Sequence, residues 1–128
     1  MTVMNTQVLG LPRGRALTRA DLDSMPDDGH RYELIDGILV VSPAPRWSHQ
    51  RAVSRLIQIL GAACPENLEA LVAPFDVILA DDTVIQPDLI VTPIADLRSF
   101  GLPVAPLLAI EVLSPSTRGI DLLLKKDR

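Results

Sequence analysis

The sequence predicts an α/β or α+β domain: a mixed sheet flanked by helices. Three observations carry this expectation. An Asp36-Gly37 pair separates two short apolar runs. Apolar residues recur with helical spacing from Ser48 to about Ala62. Two later runs, 84–91 and 107–113, are dense in aliphatic residues. The resulting order of helix, hairpin, helix, several strands and helix is that of a layered sandwich of helices on a sheet.

The first 15 residues show no periodicity and read as a flexible tail or an edge strand; we set the tail at 1–17 and the domain at 18–128. Thr18 is a good helix N-cap, with Asp21 three residues on as the capping-box acid. The short helix should end before Pro26, and Asp27-Asp28-Gly29 is a turn. Tyr32–Ile35 and Ile38–Val41 flank Asp36-Gly37, which favours a two-residue hairpin because both central positions need positive φ. Pro43 and Pro45 stop the second strand. Ser48 then caps a helix whose stripe is Ala52, Leu56, Ile59 and Leu60, widened by Val53 and Ile57. Leu68–Ile78 is strand-like but broken by Pro74, and Asp81-Asp82 is a turn. Val84–Val91 reads as a strand whose Gln86-Pro87-Asp88 marks a start, an edge or a bulge. A loop with a short helical turn covers 93–106. Leu107–Leu113 reads as a buried central strand. A last helix, capped by Ser116 or Thr117, carries Lys125 and Lys126.

Composition narrows the function. At 128 residues and 48% apolar the chain has enough material for one core, and with 3% aromatics that core must be aliphatic. No apolar run approaches the roughly 20 residues that span a bilayer, and the N-terminus does not read as a signal peptide. The single cysteine, Cys64, excludes an internal disulfide and a cysteine-based zinc site. A cytoplasmic protein is expected. The net charge of −4 weighs against a protein that coats nucleic acid by charge alone. It leaves room for a nuclease, whose metal ions supply the positive field.

The informative residues are acids in apolar surroundings. Glu111 is the one charge in Leu107–Leu113, and Asp88 lies between two aliphatic stretches. A buried carboxylate must neutralise, find a partner or hold a cation. Two such acids on neighbouring strands form an oxygen-rich pocket of the kind Mg²⁺ or Mn²⁺ prefers. A metal so bound activates water and offsets charge on a phosphodiester, and a nearby lysine, Lys125 or Lys126, can orient the water and stabilise the developing negative charge. Plainer readings stand beside these. Asp88 also reads as the end of a turn at Pro87, and Glu111 as an ion-pair partner of Arg55 or Arg118. Glu33 is either a third metal-site acid or a solvent-facing hairpin position. His49 reads as a surface or capping residue, or as a contact to metal or phosphate.

A set of motifs stands in a fixed order: Tyr32-Glu33-Leu34-Ile35-Asp36-Gly37, Ser42-Pro43, His49-Gln50, Ala73-Pro74-Phe75-Asp76-Val77, Gln86-Pro87-Asp88-Leu89, Glu111-Val112-Leu113-Ser114-Pro115-Ser116-Thr117, then Asp121 and Lys125. From about Gly29 onward the chain resembles the Uma-two family of restriction-endonuclease-like proteins, a bacterial group within the PD-(D/E)XK nuclease superfamily. The resemblance implies a restriction-endonuclease-like mixed sheet flanked by helices, and a metal-dependent endonuclease acting on DNA with Mg²⁺ or Mn²⁺. It implies Asp88 and Glu111 as metal-binding acids, and Glu33, Asp88, Glu111 and Lys125 as the catalytic set. His49 is an additional candidate. The superfamily lysine two positions after the glutamate falls at Leu113; in this family it lies in the following helix, where Lys125 matches. Family members continue with a further helix and strand, so the chain reads as truncated at its C-terminus. That expectation opens a second reading, a degenerate, non-catalytic domain acting as a DNA-binding or interaction module. A third is a small domain whose carboxylates are purely structural. An apolar edge left by truncation would favour a homodimer.

Overall fold

The computed structural model describes residues 15–113. The elements are α1 (Arg19–Asp23), β1 (Arg31–Ile35), β2 (Ile38–Ser42), α2 (Trp47–Ala63), β3 (Leu68–Val72), β4 (Val77–Ala80), β5 (Thr83–Ile85), β6 (Leu89–Pro93) and β7 (Leu108–Ile110). A 3-10 turn spans Ile94–Asp96. The fold is α+β, and the strands form two antiparallel sheets. The expected tail up to residue 14 and the helix bearing Lys125 and Lys126 lie outside the described residues. Two compact units emerge. The first takes the chain up to Ala44 with Ala80–Ile85, and the second takes Pro45–Leu79 with Gln86–Val112.

In the first unit, the Asp21 carboxylate accepts the Thr18 backbone N–H at 2.9 Å, as a capping-box acid should. It also binds Arg15 at 2.9 Å. The Arg15 hydrogen bond first, and the Thr18 N–H second, hold the Asp21 carboxyl below its ordinary range. The β1–β2 turn is as the Asp-Gly pair predicts, with φ of 50° at Asp36 and 78° at Gly37. Ile35 pairs with Ile38 and Arg31 with Ser42, and Leu34, Ile35, Leu39, Val40 and Val41 are buried. β1 lies between β2 and β5, where Leu34 faces Val84. The turn is tied down. Gly37 N–H donates to Asp82 O at 2.9 Å, and Gly37 O accepts Leu17 N–H at 3.0 Å.

In the second unit, α2 begins at Trp47 with Arg46 as N-cap, so Ser48 lies inside the first turn rather than capping it. No side chain caps this end, because the guanidinium of Arg46 has no acceptor to offer the first N–H groups of the helix. The half-buried face is Ala52, Val53, Leu56, Ile57 and Leu60. Ile59 falls off it and is 66% exposed. The helix packs on β3. The sheet order is β3-β6-β7. This corrects the expectation for 107–113: among the described residues β7 is an edge strand, and Leu107 just before it is 66% and Leu108 within it 42% exposed. The buried centre is β6, where Leu89, Ile90, Val91 and Thr92 are covered. An apolar run does not by itself say how many neighbours a strand has.

Residues 84–91 are likewise not one strand. β5 ends at Ile85 and β6 starts at Leu89, because Pro87 has no N–H to give a ladder. The β1–β2, β1–β5, β3–β6 and β6–β7 ladders are antiparallel, and the one parallel contact among the described residues is an isolated bridge between Val77 and Leu102, outside them. Parallel pairing needs a long crossover, and the strands flanking α2, the long helix, belong to different sheets.

Two predictions follow from the first unit. A Cβ on Gly37 would sit 2.6 Å from the Ala16 Cβ, at a φ that side chains rarely adopt. Gly37→Ala should therefore lower unfolding stability by about 1–3 kcal/mol, read from urea denaturation. Tyr32 is the only tyrosine in the chain, so tyrosinate absorbance reports it alone. Its hydroxyl donates to Asp28 Oδ2 at 2.6 Å. That hydrogen bond, then burial and the charge of Asp28, push the phenol up to about 12. A folded value above the ordinary ~10 means that the contact supports the fold below pH ~10 and is lost as pH rises through the folded value. Absorbance at high pH should show the late titration in the native chain, and Asp28→Ala should return it toward ~10.

Candidate metal and catalytic site

Asp88 is placed by the centre of the second sheet. The β3–β6 register pairs Val72 with Leu89, and one step further Ala73 N–H donates to Asp88 O at 3.1 Å. On the other side, β6–β7 pairs Leu89 with Ile110. The ladder ends at that pair, and the next residue on each side is Asp88 before β6 and Glu111 after β7. Asp88 is therefore flanked by Ala73 on one side and by Val112 on the other, where the ladders give way to loop.

Its carboxylate is 3% exposed. A charge so covered needs strong partners. Asp88 Oδ2 accepts the Val112 backbone N–H at 2.7 Å. His49 Nε2, from the first turn of α2, lies 3.1 Å from the same oxygen. The His49 Nδ1 is buried and has no hydrogen-bond partner among the described residues. Glu111 is half-buried. The second unit thus brings Asp88 and His49 into contact, and Glu111 precedes Val112, whose N–H reaches Asp88.

Glu33 belongs to the first unit, in the middle of β1 opposite Val40. It is fully buried, which removes the solvent-facing reading of that position. Its Oε1 lies 3.5 Å from Arg31 Nε, two residues away on the same face of the strand. Lys125 lies outside the described residues. Among the described residues, no group of three or more His, Cys, Asp or Glu side chains is gathered closely enough to hold a metal.

Residue types and spacing do not point to two further contacts. One is the Val112 N–H, since every residue but proline has one. The other is Gln86 Nε2, which donates to Asp76 Oδ1 at 2.8 Å across ten positions of sequence. Asp76 and Gln86 stand in the ordered motifs that carry the family resemblance, and that is the signal that could have drawn attention to them.

The Val112 contact is testable without a ligand. Asp88→Ala should leave that N–H without its partner and speed its hydrogen exchange, with a stability loss of about 1–3 kcal/mol.

No helix among the described residues is long and apolar enough to cross a membrane. Among curated proteins, none matches the chain. A family model does match, over residues 19–128: that of Uma2, described as "Putative restriction endonuclease". The match takes in Glu33, His49, Asp88, Glu111 and Lys125, and with it the chain belongs to the Uma2 family of restriction-endonuclease-like proteins.

Proposed function

We propose that the chain is a metal-dependent endonuclease that hydrolyses phosphodiester bonds of DNA, with Asp88 and Glu111 holding Mg²⁺ or Mn²⁺. The observation that carries this reading is the buried Asp88 carboxylate, bound by the N–H of Val112, the residue after Glu111, in a chain of this family. The donor chemistry fits the ion. Mg²⁺ is commonly held by one or two carboxylates, with substrate phosphate and water completing its shell. Two acids, one just before β6 and one just after β7, would meet that need without a third side chain.

When bound, the ion would activate water and offset charge on the phosphate. The chain's own residues do the rest. Val112 N–H fixes the rotation of the Asp88 carboxylate, so that it need not be reordered when a cation arrives. His49 lies against the same oxygen and limits its movement from the helix side. Glu33 and Lys125 complete the catalytic set in this proposal by their match to the family pattern. Lys125 supplies an ammonium for the charge that develops on phosphate, and Glu33 orients the attacking water. We take 18–128 as one nuclease-like domain.

One observation favours the second reading, a non-catalytic module that keeps the fold. Asp88 Oδ2 already takes two contacts, as a structural carboxylate would. Calorimetric Mn²⁺ titration and cleavage of supercoiled plasmid separate the two. An active nuclease binds Mn²⁺ and cuts, and EDTA stops the cutting. Asp88→Ala and Glu111→Gln should each weaken metal binding by more than the ~10–100-fold typical of losing an outer-shell partner. Metal binding with no cleavage of plasmid would instead support the module.

A further inference from the structure

We infer that Asp76 is a positioning residue for the metal-binding carboxylate, acting through Gln86 on Asp88; this rests on the reading of Asp88 given above. Gln86-Pro87-Asp88 joins β5 to β6 outside any ladder. A segment of this kind is free to shift unless side chains hold it. Yet it must present one carboxylate in one orientation, and metal ligands depend on such outer partners for their aim.

One hold comes from Asp76. Its Oδ1 accepts Gln86 Nε2 at 2.8 Å, a charge-assisted contact two residues before Asp88. Asp76 is itself fixed by its backbone, since its carbonyl accepts Leu102 N–H at 2.8 Å. Leu102 in turn accepts Ile78 N–H at 2.8 Å through its carbonyl. Leu102 and Val77 are both fully buried and bridge each other. Gly101 lets the two chains approach: a Cβ there would stand 2.5 Å from the Asp76 carbonyl oxygen. The path therefore runs from a rigid apolar anchor, Val77 and Leu102, through Asp76 and Gln86 to the residue beside Pro87. Past Asp88, the Ala73 N–H takes over as the second hold. Proline between the two holds removes one soft dihedral.

Asp76 thus sets where Asp88 points without touching the ion. The test uses the whole chain with Mn²⁺ as probe. Asp76→Ala should weaken Mn²⁺ binding about tenfold, with a thermal midpoint close to that of the native chain. Asp76→Asn keeps an oxygen for the Gln86 amide and should bind within about threefold of the native chain, a rescue that a lost metal ligand would not show. Gln86→Ala should match Asp76→Ala, and the double variant should be no worse than either single one.

A metal-free readout stands apart. Nitrogen resonances of the His49 ring, isolated in a His30→Gln background, should move in Asp76→Ala in the direction they move in Asp88→Ala. Native affinity in Asp76→Ala would overturn the inference, as would an equal loss in Asp76→Asn. If the native chain binds no Mn²⁺, the metal-site reading fails, and unmoved His49 resonances in Asp76→Ala then overturn the positioning role as well.

Discussion

A carboxylate covered to the extent of Asp88 loses the hydration that ordinarily stabilises its charge, and burial without compensation is among the costliest arrangements in a protein. The second unit answers this with geometry. The Val112 N–H reaches the carboxylate because β7 pairs with β6 in one register, and a slip of one residue would turn that donor away. The Ala73 N–H reaches the Asp88 carbonyl because β3 pairs with β6 in one register on the other side. The positions of both outer strands are therefore tied to the needs of one acid in the middle. Packing of Leu89, Ile90 and Val91 supplies stability, while the acid specifies the alignment.

The first unit handles its own buried acid by other means. Glu33 sits among aliphatic neighbours on β1 with Arg31 beside it on the same strand face. Such a pair does not by itself add stability, because both groups have been drawn out of water.

Much of this architecture is legible in the residues. Asp36-Gly37 prescribes its turn because few pairs accept positive φ twice, and the turn forms as prescribed. Thr18 and Asp21 announce a helix start because the two side chains and two N–H groups fit at one spacing only. What resists reading is partnership. Leu107–Leu113 looks central because its residues are apolar, whereas its place at the edge depends on which strands neighbour it. The break at Gln86-Pro87-Asp88 is visible only as a proline, and that proline is consistent with a start, an edge or a bulge. Within the site, acids in apolar runs single out Asp88 and Glu111. The donors that orient them do not stand out, because a backbone N–H carries no residue signature and the Asp76–Gln86 contact spans ten positions.

Hairpin tips are ordinarily where a protein best accepts added chain. The tip at Gly37 is different, because Leu17 and Asp82 both bond to it and Ala16 packs against its α-carbon. A tag, a fluorophore or new termini spliced there would part three stretches of backbone at once. The exposed Pro103–Ala105 stretch carries no such ties among the described hydrogen bonds and is the better point of entry for a reporter of the second sheet.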